Sequence, residues 1–267
     1  MLHKEILNVD IDLVGKAGSF STAEPFPHIV LDDFLADEVI SQICRDFVEY
    51  DDYAWYTYSN SIENKKALNN WNIFPPLLYR LFSQLNSDSF LLELQALSGI
   101  QKLYADPGLH GGGLHAHSRG GKLNIHLDYS IHPKLKLERR LNLLIYVTPD
   151  WQPEWGGGLE FWSHDNETNK PAELVKTIDC KFNRAVLFDT GCKSWHGLPN
   201  PILCPEGIVR RSLALYYLSA PRNGISSRQR ALFVPTKEQQ GDPEIEVLIR
   251  RRSDVKQSSQ VYRTLTE

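Results

Sequence analysis

Long apolar runs are missing from this 267-residue chain, and no window approaches the roughly 18 consecutive apolar residues that a membrane-spanning helix needs. A basic excess is missing too: 29 Lys and Arg face 33 Asp and Glu, for a net charge of −4 and a pI near 6.1. That balance excludes a broad footprint on nucleic acid or an anionic membrane, and neither is expected as a partner; only a local basic groove stays open. Cysteine is scarce. Cys44, Cys180, Cys192 and Cys204 are widely spaced and form no CxxC pair, so they are expected to be buried or surface thiols in a reducing cytoplasm. The opening MLHKEILNVDIDLVGK scatters charges through its apolar residues and is not expected to be a secretory signal. No repeat or low-complexity tract stands out. What is present is 42% hydrophobic and 10% aromatic residues, enough to bury a substantial core, most simply in one domain.

Residues 1–27 read as a polar lead-in broken by Gly15, Gly18, Pro25 and Pro27. HIVLDDFL then reads as a short strand. DEVISQICRDFVEY places Val39, Ile40, Ile43, Phe47 and Val48 at helical spacing, with Asp37 and Glu38 in the first turn. A second helical stretch starts at Pro75-Pro76, is interrupted over Asn86–Ser89, and ends at Gly99. Residues 35–99 are therefore expected to be helical support. From residue 100 the texture changes to the strand-like runs IQKLYA, LNIHLDY, RLNLLIYV, GLEFWS, LVKTID, RAVLFD and SLALYYLS, set apart by turn residues. Many short strands without helices between them imply a β-sandwich or jelly roll. The expected division is one domain over 28–221, with its β core at 100–221. A polar extension over 222–267 reads as a peripheral tail with one strand-like or helical patch at IEVLIRR.

Within LNIHLDY, side chains alternate, so Asn124, His126 and Asp128 share one face and Leu123, Ile125, Leu127 and Tyr129 the other. A polar face backed by an apolar one needs water or a bound ion. The competing reading is a solvent-facing strand that carries a His and an Asp by chance. His196, 68 residues after Asp128 and just past RAVLFD, can close the set as a distal ligand from a neighbouring strand end. Two imidazoles and one carboxylate on one face of a metal form the facial triad of non-haem Fe(II) oxygenases. Rival histidines are weaker. His115 and His117 sit in GGGLHAHSRGG, whose glycines suggest a mobile loop that could touch substrate; His132 and His164 are expected to be solvated, and His110 is open.

In VRRSLALYY, Arg210, Ser212, Ala214 and Tyr216 share one face, and Arg211, Leu213, Leu215 and Tyr217 the other. One arginine should point inward, where a carboxylate ligand would give it a bidentate partner; alternation alone leaves open that both are exposed. The same periodicity puts Asn142, Leu144 and Tyr146 together. Trp155, Trp162 and Trp195 are equally candidates for core and for a pocket that would take a peptide, a sugar or a small metabolite.

Together, His126-x-Asp128, His196, Arg210 with Ser212, the segment RRLNLLIYVTPDWQPEWGGGLEFW and the opening PFPHIVLDDFLADEVI resemble the prolyl-hydroxylase-like branch of the 2-oxoglutarate and Fe(II)-dependent oxygenases. The resemblance covers most of residues 25–220. It implies a mainly β fold: a double-stranded β-helix, or cupin-like jelly-roll barrel, flanked by N-terminal helices. It also implies that His126, Asp128 and His196 hold Fe(II), and that Arg210 grips the distal carboxylate of 2-oxoglutarate, with Arg211 as the alternative. Tyr146 and Ser212 would be hydrogen-bond partners of the co-substrate, and Asn142 would reach the same pocket. Dioxygen is the second co-substrate, and ascorbate a candidate reductant. The implied reaction couples oxidative decarboxylation of 2-oxoglutarate, to succinate and carbon dioxide, with hydroxylation of a substrate carbon. Related halogenases replace the carboxylate by a small residue, so Asp128 argues for hydroxylation. The HGGGLHAHSRGGK insertion departs from the minimal pattern of the branch, so the substrate does not carry over. Two other classes compete: a cupin-like Zn or Mn isomerase or hydrolase, which would need neither Arg210 nor Tyr146, and a catalytically inactive binding barrel in which the loop 107–121 and surface tryptophans form a recognition groove. The oligomeric state is not legible.

Overall fold

Proline and glycine punctuate the helices where the sequence places them. The computed structural model describes residues 5–258 and Val261; the outermost residues of the lead-in and of the C-terminal extension lie outside the described residues. After a short α1 (Ala17–Ser21) comes α2 (Asp37–Asp46), which buries Ile40 and Ile43. Pro76 opens α3 (Pro76–Leu85), and the Ser87 side chain caps α4 (Asp88–Ser98), which stops at left-handed Gly99. Among the described residues no helix is long and apolar enough to cross a membrane.

Thirteen strands among the described residues pair antiparallel throughout. They are β1 (His28–Leu31), β2 (Tyr56–Ser59), β3 (Glu63–Leu68), β4 (Tyr104–Ala105), β5 (Gly113–His117), β6 (Lys122–Leu127), β7 (Glu138–Tyr146), β8 (Leu159–Asp165), β9 (Lys170–Ile178), β10 (Ala185–Asp189), β11 (Trp195–Leu198), β12 (Arg210–Ser219) and β13 (Leu232–Phe233). One half runs β1-β10-β7-β12-β5-β3; the other, β6-β11-β8-β9, joins it through β3. The result is the expected jelly roll. Alternation along β7 and β12 separates two cores. Leu141, Leu143, Ile145, Leu213, Leu215 and Tyr217 pack under the helices, with Leu78, Phe82, Phe90 and Leu94. Leu144, Tyr146 and Ala214 face inward, with Phe161, Phe188 and Leu198.

Four expectations need correction. The lead-in is not merely polar surface, because Ile6, Leu7, Leu13 and Phe20 are buried in the helix-side core. Residues 35–99 are not all helix: β2 and β3 join the sheet, and their polar sequences YTYS and ENKKAL hid them by lacking apolar alternation. GGGLHAHSRGG is not a mobile loop but contains β5. Its glycines answer crowding: a Cβ on Gly113, at φ +96°, would lie 2.2 Å from the Leu68 carbonyl oxygen. Finally, the extension beyond 221 packs on the barrel rather than trailing from it. β13 pairs with β6, and α5 (Pro243–Ser253), capped by Asp242, buries Ile245 against Ile62 and Phe233.

Candidate active site

β6 and β11 run side by side with His126 directly opposite His196, and Asp128 follows at the end of β6. The three side chains are buried, and one ligand atom from each lies within 4.8 Å of the others. His126 Nε2 is 3.8 Å from Asp128 Oδ1, and His196 Nε2 is 3.7 Å from Oδ2. Each imidazole Nδ1 sits beside a carbonyl two residues back, Asn124 O at 2.9 Å and Ser194 O at 2.8 Å. A carbonyl only accepts, so each Nδ1 carries the proton and each Nε2 turns a lone pair inward. Burial drives the His126 pKa down to about 3 and lowers that of His196, which keeps both rings neutral. Phe233 stacks on His126 at 5.0 Å, and Phe188 meets His196 edge-on at 4.8 Å.

Asp128 is held by a residue that strand alternation does not reveal. Arg139 Nη1 donates to Asp128 Oδ1 at 2.9 Å and Nη2 to the His110 carbonyl at 2.9 Å. Its guanidinium carbon lies 3.5 Å from the Tyr129 ring centre and 3.3 Å from that of Tyr216. Burial by itself would raise the Asp128 pKa, but the Arg139 charge holds it well below the ordinary carboxylate range. With Oδ1 taken, Oδ2 is buried without a protein partner. Neutral imidazoles and an ionised carboxylate with one oxygen spare suit a divalent metal held by three ligands. Arg228 supports the same corner by donating to the Asp128 carbonyl at 2.7 Å.

Two β-bulges aim these residues. Between His196/His126 and Leu198/Leu123 the register gains a residue on β6. Leu123 then lines the cavity with His126, while the Asn124 amide bonds to Val234 O at 3.0 Å and Gln239 Oε1 at 2.6 Å. Asn124 therefore does not share the face of His126 and Asp128. On β7 the partners step from Leu141 to Arg139 while β12 advances one residue, which turns Arg139 into the cavity instead of Arg140.

Opposite the triad, in the same cavity of about 380 Å³, stand Arg210, Ser212, Asn142 and Leu144. Arg210 is 1% exposed, donates Nε to Gly157 O at 2.8 Å, and packs its guanidinium 4.8 Å from the Tyr146 ring. Gly157 is required there, because at φ +76° a Cβ would come within 3.0 Å of Arg210 Cδ. Arg211 leaves by the other face and lies over Phe47, so Arg210 alone of the pair enters the cavity. Arg210 Nη2, Tyr146 Oη, Ser212 Oγ and Asn142 Oδ1 are all buried without protein partners. Arg210, Ser212 and Asn142 line the cavity, and orphaned groups there call for a polar, anionic ligand. Burial pushes the Tyr146 phenol up to about 12, so it can donate.

The remaining candidates divide. His115 and His117 line the cavity from β5, paired with Ser212 and Arg210; both ring nitrogens of His117 lack partners, and burial holds both pKa values low. His132, expected in solvent, is 3% exposed: its Nδ1 accepts from the Lys134 and Leu135 amides, and its Nε2 lies 3.5 Å from Asp106. Trp155, Trp162 and Trp195 do not line the cavity. Trp195 packs with Ile125 and Leu127 and donates to His164, and Trp162 donates to Glu160.

The comparisons with known proteins bear on this geometry. Residues 112–218 match the family model described as the 2OG-Fe(II) oxygenase superfamily. No curated protein matches the sequence at a significant level. Among solved structures, a prolyl hydroxylase from Trichoplax adhaerens, in complex with a hypoxia-inducible-factor oxygen degradation domain peptide fragment, is similar at a TM-score of 0.55 and 16% identity, covering 78% of this chain and 87% of that one. A Pseudomonas putida prolyl-4-hydroxylase gives 0.53 at 16% identity, over 79% and 100%. HygX from Streptomyces hygroscopicus, bound to nickel, 2-oxoglutarate and hygromycin B, gives 0.52 at 12%, over 77% and 86%. At these identities the likeness establishes the fold.

Proposed function

We propose that this chain, whose residues 112–218 match the 2OG-Fe(II) oxygenase superfamily, is an Fe(II)- and 2-oxoglutarate-dependent dioxygenase, with the following residues carrying that chemistry. His126, Asp128 and His196 hold the iron. Arg210 pairs with the distal carboxylate of 2-oxoglutarate, Tyr146 and Ser212 donate to it, and Asn142 borders it. The catalytic domain is 28–221, with 222–267 as an extension whose described strand and helix pack on it, and its setting is a reducing cytoplasm, in keeping with four free thiols. The observation that carries this reading is the cluster of partnerless buried atoms on Arg210, Ser212 and Asn142 in the cavity of the triad, with the Tyr146 ring packed behind the Arg210 guanidinium. A metal-dependent hydrolase or isomerase would leave that cluster without a task, at a desolvation cost of about 1–3 kcal/mol for each orphaned group.

The bound metal and co-substrates supply the oxidising chemistry: 2-oxoglutarate goes to succinate and carbon dioxide, and a substrate carbon is hydroxylated. The chain's own part is positional. The Nδ1 protons fixed by Asn124 O and Ser194 O keep both Nε2 atoms free to ligate. Arg139 commits one oxygen of Asp128 and leaves the other. Phe188, Leu144 and Leu159 line the cavity with apolar surface that limits water. Hydroxylated carbons in a prolyl residue, a sugar or a small metabolite all suit such a site.

The test is an anaerobic titration of Fe(II) and 2-oxoglutarate, read as the weak visible charge-transfer band, followed by succinate formation on admitting oxygen. Band and succinate are expected, and neither with Asp128→Ala. Arg210→Ala should raise the 2-oxoglutarate requirement at least about tenfold, ~1.4 kcal/mol, with little change in Arg211→Ala. A wild-type chain with no band and no succinate would overturn the reading.

A further inference from the structure

One wall of the cavity takes no part in the roles above. β2 and β3 present Tyr56, Tyr58, Glu63 and Lys65 to the interior, because these positions alternate on one face of the pair that continues into His115 and His117 on β5. Counting the whole lining, Lys65, Arg139, Arg210, Arg230 and Arg252 face only two carboxylates, Glu63 and Asp128. Those two are already committed, Asp128 to Arg139 at 2.9 Å and Glu63 to Arg252 at 2.7 Å. Fe(II) and 2-oxoglutarate bring equal and opposite charge, so the cationic excess remains when both are bound.

Lys65 is the least satisfied of these cations. Its Nζ lies 5.2 Å from the Tyr58 ring centre, and among the described residues it makes neither a close ion pair nor a hydrogen bond. Arg230, by contrast, donates to Ser258 Oγ and to Gln229 O. Burial lowers the Lys65 pKa and Glu63 pulls the other way, so its ammonium form is poorly solvated where it stands. An ammonium without an acceptor in a ligand cavity gains most from an anionic ligand. A single such group balances a single carboxylate better than a phosphate dianion, which would call for more donors.

We propose that the substrate of this dioxygenase carries a free carboxylate and that Lys65 receives it, fixing which carbon faces the metal. The proposal rests on the oxygenase reading and narrows its substrate class. A cavity of about 380 Å³ that also admits 2-oxoglutarate leaves room for a compact carboxylic acid or the last residue of a peptide. Free amino acids and peptide C-termini offer the same group to Lys65.

The full chain loaded with Zn(II) and saturated with 2-oxoglutarate performs no turnover, and the co-substrate fills the Arg210 side. Saturation-transfer NMR on that complex, with free amino acids, their carboxamides and dipeptides as probes, reads the remaining subsite directly. Signals from 2-oxoglutarate itself test the oxygenase reading; the acid-to-amide ratio tests Lys65. Carboxylates are expected to bind at least about tenfold more tightly than the matching amides. The ratio should fall to near one in Lys65→Met and Lys65→Gln and survive in Lys65→Arg; whichever of the two substitutions keeps the near-UV circular dichroism of the parent is decisive. Preference for free acids or for dipeptides separates the two sources, and either supports the proposal. No acid preference across the probes, a preference that survives loss of the ammonium, or loss of 2-oxoglutarate binding in Lys65→Met would overturn it.

Discussion

Arg139 decides which oxygen of Asp128 is left for the proposed metal. A carboxylate free on both oxygens can chelate a metal with two atoms, whereas one whose Oδ1 is occupied at 2.9 Å offers one, which conserves coordination positions for co-substrates. The ring faces of Tyr129 and Tyr216 fix the guanidinium plane, so the geometry depends on shape as well as charge. Arg139→Met is expected to weaken metal binding by about 10- to 100-fold, measured by Mn(II) competition. Arg139→Lys should recover only part of the loss, since an ammonium cannot fill the slot between the rings. Equal affinity in all three proteins would remove Arg139 from the site.

At the scale of elements, the sheet relies on places where backbones nearly touch. Gly113→Ala drives a methyl into the Leu68 carbonyl at φ +96° and is expected to cost at least about 2 kcal/mol in thermal or urea unfolding. Gly18→Ala, in α1 with open space around it, should be neutral or slightly stabilising. The same elements explain what the sequence discloses. Unbroken strands are legible: along β12 and the inner half of β7, period two brings Arg210, Ser212, Asn142 and Tyr146 together and sends Arg211 away. Bulged strands are not. One extra residue on β6 turns Asn124 out, and one on β7 turns Arg139 in, and neither leaves a mark in composition. Lys65 and the β5 histidines escape for other reasons: polar strands look like loop, and glycines that relieve crowding look like mobility.

For the whole molecule, buried histidines couple stability to acid. His115 and His117 are neutral inside the fold, His115 down to about pH 3, whereas an unfolded imidazole protonates near 6.5. A depressed folded pKa favours the native state above the unfolded value, and that stability is lost as pH falls from about 6.5 toward 3. The slope approaches about 1.4 kcal/mol per pH unit for each such histidine. Urea midpoints of the metal-free chain should therefore decline steadily from pH 7 to 4, less steeply in His117→Gln. A flat profile would show that these rings do not stay neutral in the native state.

Chain order adds one more consequence. His126, Asp128 and His196 are all translated by the end of β12, yet the ring that stacks on His126 and the arginine that holds the Asp128 carbonyl come later, at Phe233 and Arg228. A growing chain thus acquires its proposed ligands before it acquires their braces. For the ligand set proposed above, iron capture is expected to follow, not precede, the pairing of the last strand with β6.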